Sequence, residues 1–521
     1  MKAKTVMFQG TGSDVGKSVL TAALCRILAR EGYRVSPFKS QNMSLNSAVT
    51  TSGGEIGRAQ AVQAEAAMID ATVDMNPILL KPNADNNSQV IFAGKAQKNM
   101  SAKEYFSNQD LASQVIRNSL SKLLNNYQVI IIEGAGSPAE VNLRDYDLVN
   151  MSIAEMADSP VILIANIDKG GVFADIVGTL DLLKSDERER IKGIIINKFR
   201  GNIERFQTGI DFIEEFTGKP VLGVIPYFEN MCLPEEDSLD EKKYNKKNYE
   251  IEILVIALPH MSNFTDFECF SSELDVHVRY VRRTGEIGYA DVLIIPGSKN
   301  TIADLEYLGK TGMVEKIREL YHQGTEIIGI CGGYQMLGKR IRNPYRIESN
   351  KKEIEGIGLL DVVTIMEKKK ITSQVKAAVI RSLPFIYPDS LSGEEKEKTI
   401  PGKRIVLDGY EIHQGRTNLG SEADPILELT GVDSKRIVID GAVNKDGRVW
   451  GTYLHGVFDN DHFRRIFLNK LRIKKGLSIL PVNQIGIKSK REKAYNEFAD
   501  FVQAHINMGL INDIIFTSYN D

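Results

Sequence analysis

Short apolar runs rich in β-branched residues alternate with helix-length segments along the first 230 residues of the chain. The runs are KTVMFQG, YRVSPFK, YQVIIIEG, PVILIANI, IKGIIINKF and PVLGVIPY. Runs that are apolar on both faces are typical of parallel strands, because helices then cover both sides of the sheet. The pattern therefore predicts a doubly wound α/β domain over residues 1–230.

A second set of apolar runs follows a charged stretch. Residues 231–250, MCLPEEDSLDEKKYNKKNYE, lack a periodic pattern and are interpreted as an interdomain linker. The runs EILVIALP, VHVRYV, ADVLIIPGS and TEIIGICGG then predict another doubly wound α/β domain over residues 251–521, with its core at 251–460. The charged segment 366–404 predicts a surface insertion without chemistry.

The end of the chain, REKAYNEFADFVQAHINMGLINDII, has helical periodicity. It predicts a helical extension whose apolar residues pack on the second domain. A helix that binds a partner protein is the alternative interpretation of the same pattern.

Composition excludes several classes of protein. A net charge of -3 with 26% charged residues gives no basic excess, so nucleic acid is not an expected partner. The four cysteines form no CxxC pair, which argues against a disulfide framework or a zinc site. No apolar run approaches the ~18 residues that span a bilayer, and the first residues lack a signal peptide pattern. We expect a cytoplasmic protein that contacts no membrane, and the sequence is compatible with a homo-oligomer.

The stretch GTGSDVGKS follows the first strand and precedes a helical pattern. Backbone N–H groups of such a loop surround phosphate oxygens, and the helix N-terminus adds a favourable dipole. Lys17 would reach the terminal phosphates of ATP, and Ser18 would bind Mg²⁺. Position 11 departs from GxxxxGK[ST], since the glycine is one place earlier; a chance glycine-rich turn is the alternative. The predicted ATP-binding loop comprises Gly10, Thr11, Gly12, Ser13, Asp14, Val15, Gly16, Lys17 and Ser18.

Two further strand ends carry polar residues. Glu133 ends a buried run, where ligands of open α/β sheets gather, and is predicted as the second Mg²⁺ ligand. An exposed loop carboxylate is the alternative. Asn197 and Lys198 end another run and are predicted to contact the nucleotide, although asparagine at a strand end is often only a turn residue. This half of the chain resembles dethiobiotin synthetase and its relatives among phosphate-loop ATPases, which implies phosphorylation of a carboxylate.

Cys331, in GICGGYQMLG, lies between small residues where a strand meets a helix. This arrangement is typical of a nucleophile elbow, and the helix N-terminus would favour the thiolate. A buried structural cysteine is the alternative. His455, in GTYLHG, and His413, in GYEIHQG, are the histidines with the setting of a catalytic base. Backbone N–H groups of Gly297, Ser298 and Gly332 are predicted to stabilise an oxyanion.

The order of the PGS loop, the cysteine elbow and GTYLHG resembles the class I, triad-type glutamine amidotransferases. The resemblance implies that Cys331 is the nucleophile that forms a glutamyl thioester from glutamine, and that His455 is its base. The family usually has glutamate two residues after this histidine, whereas this chain has Val457. The carboxylate that orients His455 is therefore missing or comes from elsewhere in the chain. Glu411 and Asp459 are the candidate substitutes.

Together the two halves predict ATP-dependent carboxamide formation. The stretches KSQNMSLNS, LPHMSNFTDFE, DKGGVFAD, PGSKNTIADL and GYEIHQGRT resemble the cobyric acid synthase family almost end to end. That family amidates four peripheral carboxylates (b, d, e and g) of adenosylcobyrinic acid a,c-diamide with glutamine and ATP. The resemblance thus implies a corrinoid acceptor.

A polyanionic acceptor needs donors beside the ATP phosphates. The predicted substrate-binding residues are Lys39, Gln41, Asn42, Asn46, Arg58, Asp168 and Lys169. A solvated polar loop and, for the last two, a helix cap are the alternatives. Two other functions stay open: cobyrinic acid a,c-diamide synthase, and a nucleotide-switched scaffold with an inactive glutaminase domain.

Overall fold

The computed structural model describes residues 3–83, 87–228, 248–380, 405–432, 437–482 and 486–517. Most of the predicted linker therefore lies outside the described residues. No helix within these ranges is both long and apolar enough to cross a bilayer.

The front domain contains a six-stranded, fully parallel sheet in the order β12-β11-β10-β1-β9-β2. Its elements are β1 (Lys4–Gly10), α1 (Lys17–Arg30), β2 (Val35–Phe38), β3 (Gln41–Met43), β4 (Ser47–Val49), β5 (Glu55–Gly57), α2 (Arg58–Ala66), β6 (Ile78–Pro82), β7 (Asn87–Phe92), β8 (Lys95–Ser101), α3 (Ala102–Phe106), α4 (Gln109–Asn126), β9 (Val129–Glu133), α5 (Met151–Met156), β10 (Val161–Asn166), α6 (Val172–Leu182), α7 (Ser185–Arg190), β11 (Ile191–Phe199), α8 (Gln207–Thr217) and β12 (Val221–Pro226). The six predicted strands of this sheet are confirmed, and their carboxyl ends meet at one edge.

Two smaller sheets lie beside the main one. The strands β3, β6, β7 and β8 form a four-stranded sheet, and β4 pairs with β5. These strands are not evident in the sequence, because several of them are only three residues long and do not alternate in polarity.

The rear domain extends a parallel sheet with antiparallel strands. Its elements are β13 (Ile251–Ile256), β14 (Val276–Val281), β15 (Val292–Ile295), α9 (Thr301–Lys310), α10 (Met313–His322), β16 (Glu326–Ile330), α11 (Gly332–Leu337), β17 (Arg340–Arg342), β18 (Glu353–Glu355), β19 (Val362–Val379), β20 (Val406–Leu419), β21 (Ala423–Gly431), β22 (Ile437–Asn444), β23 (Val449–Thr452), β24 (Leu454–His455), α12 (Asp461–Lys474), α13 (Ile487–His505) and α14 (Met508–Phe516). The strands β14, β13, β15, β16 and β23 are parallel neighbours, so the predicted α/β class is confirmed.

The segment 366–404 is only partly as predicted. Its first residues belong to β19, an 18-residue strand that pairs with β20 and β21, so they are not a surface insertion. The charged run on β19 obscured the strand, although Lys370 faces the front domain and pairs there with Glu55. Residues 381–404 lie outside the described part of the chain.

The C-terminal helices pack on the front domain, which corrects the prediction that they pack on the second. Tyr495, Phe498 and Val502 of α13 join a core with Leu24 and Leu28 of α1. Ile511 and Ile515 of α14 belong to the same core. Periodicity alone identified a buried helix face but not the surface that it covers.

The two domains meet along β4, β19 and β20. Val49 forms a small core with Tyr410 and Ile412 of the rear domain. Gln374 Nε2 donates to Val49 O at 2.6 Å, and Thr372 Oγ1 donates to Gly53 O at 2.7 Å. This contact brings the thiol of the rear domain next to residues of the front domain.

Candidate active sites

The phosphate loop lies at the carboxyl end of β1 and leads directly into α1. Gly16 has φ +102°, and a Cβ at this position would lie 2.2 Å from Asn197 Nδ2, so the turn requires glycine. Lys17 Nζ donates to Gly12 O at 2.8 Å and to Gly136 O at 3.0 Å. The lysine therefore lies across the mouth of the loop, where a nucleotide's terminal phosphates would replace these carbonyl contacts.

Glu133 is the central acceptor of this site and is only 1% exposed, which excludes the interpretation as an exposed loop carboxylate. Its Oε1 accepts from Ser18 Oγ at 2.7 Å and from Lys39 Nζ at 2.8 Å. Its Oε2 accepts from Gln63 Nε2 at 2.5 Å. A hydroxyl and a carboxylate held together beside a phosphate loop are the oxygen ligands that Mg²⁺ prefers, so the residues fit this ion.

The other predicted nucleotide residues, Asn197 and Lys198, border the loop, as do two of the predicted substrate residues, Asp168 and Lys169. Asn197 Nδ2 donates to Val15 O at 2.8 Å, and Lys198 Nζ donates to Asp14 O at 2.7 Å. Lys169 lies 3.9 Å from the Asp14 carboxylate, while Asp168 accepts from Arg200 Nε at 2.7 Å. Asn197 and Lys198 thus brace the loop, and Asp168 and Lys169 lie on its outer side.

A cavity of about 1670 Å³ opens beside the phosphate loop. Gly136, whose carbonyl contacts Lys17, is part of its wall. Its apolar lining includes Met43, Leu80, Pro82, Val90, Met100, Tyr105 and Phe106. Such a cavity, with both apolar walls and charged residues on its rim, suits a large amphipathic ligand.

The predicted substrate-binding residues do not form one cluster. Gln41 lines the large cavity and accepts from Tyr105 Oη at 2.5 Å. Lys39 does not line the cavity and instead contacts Glu133, which also accepts from Ser18 of the loop. Asn42 and Asn46 are buried, and Asn42 Nδ2 donates to Gln60 Oε1 at 3.1 Å.

Arg58 lies in the domain interface, away from the large cavity. It donates to Thr265 Oγ1 at 2.9 Å and to Tyr410 Oη at 3.2 Å. Its position indicates that Arg58 stabilises the contact between the two domains. The position of Arg58 after β2 in the sequence does not reveal this contact.

Cys331 occupies the turn between β16 and α11 with φ +51° and ψ -105°. A non-glycine residue in this region is strained, and strain of this kind is typical of a nucleophile elbow. Its N–H donates to Thr452 O at 2.8 Å, which fixes the turn, and its Sγ lies 3.4 Å from Ile412 O. The sulfur faces a small cavity shared with His455.

His455 is held by a carboxylate that the sequence analysis did not assign. Its Nδ1 lies 2.7 Å from Asp266 Oδ2, and Gly456 N–H donates to Asp266 Oδ1 at 3.1 Å. Burial disfavours the charged imidazolium, but Asp266 and the Cys331 sulfur outweigh it and raise the pKa of His455 to about 10. The ring is thus placed to hold a proton next to the Cys331 sulfur.

Neither Glu411 nor Asp459 orients His455, which corrects that expectation. Glu411 instead lies 3.3 Å from His413 Nε2, and the His413 ring stacks on Tyr453. Asp459 lies 3.4 Å from Arg491. Asp266 lies within the stretch LPHMSNFTDFE, but nothing local distinguishes its carboxylate from a surface residue in the sequence.

The predicted oxyanion loop approaches the elbow closely. A Cβ at Gly332 would lie 2.8 Å from Ser298 N, so only glycine allows this contact. Ser298 Oγ donates to Asp304 Oδ2 at 2.6 Å, and Asp304 also lies 2.7 Å from His260 Nδ1. These contacts fix the loop that carries Gly297 and Ser298 beside Cys331.

Comparisons with known proteins match both halves. Residues 6–239 match the CobQ/CobB/MinD/ParA nucleotide binding domain, and residues 252–463 match the CobB/CobQ-like glutamine amidotransferase domain. A cobyric acid synthase of Thermoanaerobacter sp. (strain X514) is 48% identical, over 98% of this chain and 99% of the relative. A cobyric acid synthase of Desulforamulus reducens is 46% identical, over 98% of each chain.

Proposed function

The chain belongs to the cobyric acid synthase family, an ATP-dependent group of glutamine amidotransferases, and we propose that it amidates the b, d, e and g carboxylates of adenosylcobyrinic acid a,c-diamide. Its rear domain would supply ammonia from glutamine. Its front domain would activate each carboxylate with ATP.

The rear site supports glutamine cleavage. Cys331 gives its thiol proton to His455, and the resulting thiolate attacks the side-chain amide carbon, whose oxygen takes up negative charge beside the N–H groups of Ser298 and Gly332. The carbon–nitrogen bond then breaks, and the His455 imidazolium donates its proton to the leaving nitrogen. Water hydrolyses the resulting glutamyl thioester to glutamate and restores the thiol.

The front site supports carboxylate activation. A carboxylate oxygen of the acceptor attacks the γ-phosphorus of ATP, ADP leaves, and an acyl phosphate forms. Lys17 and the loop N–H groups would hold the phosphates, while Ser18 and Glu133 would hold Mg²⁺. The ion would neutralise phosphate charge during transfer.

Amide formation joins the two half-reactions. Ammonia attacks the acyl carbon, a carbon–nitrogen bond forms, and the bond to phosphate oxygen breaks. Nitrogen loses a proton and inorganic phosphate leaves. Lys39 lies beside Glu133, where its ammonium would favour the anionic acceptor and the departing phosphate.

The large cavity beside the phosphate loop is the single observation that supports a macrocyclic acceptor best. It has a volume of about 1670 Å³ and apolar walls, and it reaches Gly136 next to Lys17. A peripheral side arm of a corrin bound there would point toward the nucleotide. Gln41 would contact the substrate from the cavity wall.

Cysteine chemistry supports a cytoplasmic location for this function. Among the described residues Cys25, Cys269 and Cys331 are free thiols. Free thiols are typical of a reducing compartment, and the proposed nucleophile needs one.

The variant Cys331→Ala tests whether the rear domain releases ammonia from glutamine while the front domain activates the carboxylate. The variant should lose glutamine-dependent amidation of the corrin diamide and retain amidation driven by ammonium chloride. Lys17→Ala should lose both. Loss of both routes in Cys331→Ala, with an unchanged unfolding temperature, would contradict the proposal.

A further inference from the structure

The small cavity at Cys331 is lined by residues of both domains. Lys299 follows the oxyanion loop, Lys370 comes from β19, and Lys81 comes from β6 of the front domain. Glu348 also lines this cavity. The mechanism above uses none of these four charged side chains.

Two of the lysines share one carboxylate behind the cavity. Lys81 Nζ lies 2.7 Å from Glu55 Oε1, and Lys370 Nζ lies 2.6 Å from Glu55 Oε2. Glu55 is fully buried, and Ser47 Oγ also donates to it at 3.0 Å. A single carboxylate therefore balances two ammonium groups at this point of the domain interface.

Lys299 is the third ammonium and has no ion-pair partner within 4.0 Å among the described residues. Burial and the charge of Lys370 lower the pKa of Lys299 to about 8, although Glu348 opposes the shift. Glu348 Oε2 accepts from Thr301 N–H at 2.8 Å, which fixes the carboxylate near this lysine.

The cavity thus carries more positive than negative charge beside a thiol. A buried excess charge is costly unless a ligand compensates it. Free glutamine has both an α-carboxylate and an α-ammonium group, two methylenes away from the amide that Cys331 attacks. A cluster of lysines with one adjacent carboxylate complements this head group in sign and in arrangement.

We propose that Lys299, with Lys370 and Lys81, binds the α-carboxylate of glutamine and that Glu348 binds its α-ammonium group. The inference rests on the proposed glutaminase function and deepens it. Because Lys81 belongs to the ATP-binding domain, the glutamine pocket is complete only when the two domains are in contact. A residue of the synthetase half is then a specificity residue of the glutaminase half.

Head-group analogues test this assignment. Wild-type protein and the variants Lys299→Gln, Lys81→Gln and Glu348→Gln are assayed for ammonia release from three amides. The amides are L-glutamine, 4-aminobutanamide, which lacks the α-carboxylate, and glutaramic acid, which lacks the α-amino group. Lys310→Gln, on the exposed part of α9, is the matched control.

Loss of a charged hydrogen bond should lower kcat/KM for glutamine by about 10- to 100-fold in each pocket variant. Turnover of 4-aminobutanamide should not change in Lys299→Gln or Lys81→Gln, and turnover of glutaramic acid should not change in Glu348→Gln. The assignment would be overturned if kcat/KM fell equally for glutamine and for the amide that lacks the corresponding head group. It would also be overturned if kcat/KM for glutamine did not fall. A wild-type kcat/KM for glutamine in Lys81→Gln would contradict the proposed contribution of the front domain to the glutamine pocket.

Binding provides a second measurement that does not need turnover. In the Cys331→Ala background, the Kd for L-glutamine should rise about 10- to 100-fold on adding Lys299→Gln. An unchanged Kd would contradict the proposal. Both assays follow glutamine alone, so failure of corrin amidation would overturn the proposed acceptor and leave the head-group result standing.

Discussion

Asp266 Oδ2 lies 2.7 Å from His455 Nδ1, although 189 positions separate the two residues. The other oxygen of Asp266 accepts from Gly456 N–H, so the carboxylate fixes both the ring and the backbone that carries it. In the triad-type amidotransferases that the chain resembles, glutamate two residues after the histidine is usual, and here that position is Val457. Asp266 is the carboxylate that faces the ring in its place.

Asp266→Asn should lower glutamine-dependent amidation by about 100-fold or more, because the amide neither fixes the ring tautomer nor stabilises the imidazolium. The pKa of His455 should fall, so the glutamine-dependent pH–rate profile should shift to lower pH. Ammonia-dependent amidation is the internal reference and should not change. Asp459→Asn is the matched control; equal losses in the two variants would contradict the positioning function of Asp266.

Glu133→Gln should impair both amidation routes, in contrast to changes at the thiol. The carboxylate accepts from Ser18, Lys39 and Gln63, and an amide cannot accept from all three without turning its own N–H₂ toward a donor. Misplacing these groups should lower ATP-dependent turnover by about 100-fold. Steady-state rates with glutamine and with ammonium chloride check this. The control variant Glu204→Gln, on an exposed turn, should have wild-type amidation rates. Wild-type rates in Glu133→Gln would contradict the assigned contribution of Glu133 to the ATP site.

The raised pKa of His455 predicts a pH-dependent contribution to stability. A folded-state pKa of about 10, against an ordinary value of 6.5, means that the folded protein holds the proton more tightly. This stabilisation is complete below the ordinary pKa and is lost as the pH rises from 6.5 through 10. The free energy of unfolding is measured by denaturant titration at a series of pH values.

The difference in unfolding free energy between wild type and His455→Gln should shrink across that window, by at most about 1.4 kcal/mol per pH unit. His322→Gln, at the exposed end of α10, should follow the wild-type curve. Parallel curves for wild type and His455→Gln would show that the imidazolium is not stabilised in the folded state.

Phe498→Ala should destabilise the front domain, although residue 498 follows the amidotransferase half in sequence. Phe498 is buried in the core shared by α1 and α13, and loss of such a ring costs about 3–5 kcal/mol. Nucleotide binding should protect the variant, and the midpoint of ATP-domain unfolding should fall. The control Phe212→Ala removes a half-exposed ring. Unchanged unfolding in Phe498→Ala would contradict the packing of α13 on α1.

The main strands of both domains were predictable because each is a short run with apolar residues on both faces. Once the strands were identified, the positions of the phosphate loop, Glu133 and the Cys331 elbow could be predicted as well, because parallel strands bring their carboxyl ends to one edge of the sheet. These features depend on local sequence and on one general rule of sheet geometry.

The residues that the sequence analysis missed depend on long-range contacts. Asp266 and Lys81 meet His455 and the Cys331 cavity only through tertiary structure. The C-terminal helices were assigned to the wrong domain for the same reason: an apolar face does not specify its partner. The charged run on β19 hid a strand, because the pairing of Lys370 with Glu55 across the domain interface depends on tertiary structure.

The most direct test of the whole account follows nitrogen from one domain to the other. Protein, ATP, Mg²⁺ and adenosylcobyrinic acid a,c-diamide are incubated with glutamine labelled with ¹⁵N in its side-chain amide, and the corrin is examined by mass spectrometry. The account predicts up to four labelled amides per corrin, with one glutamate and one phosphate released for each. A corrin of unchanged mass, with glutamine and ATP consumed or not, would contradict it.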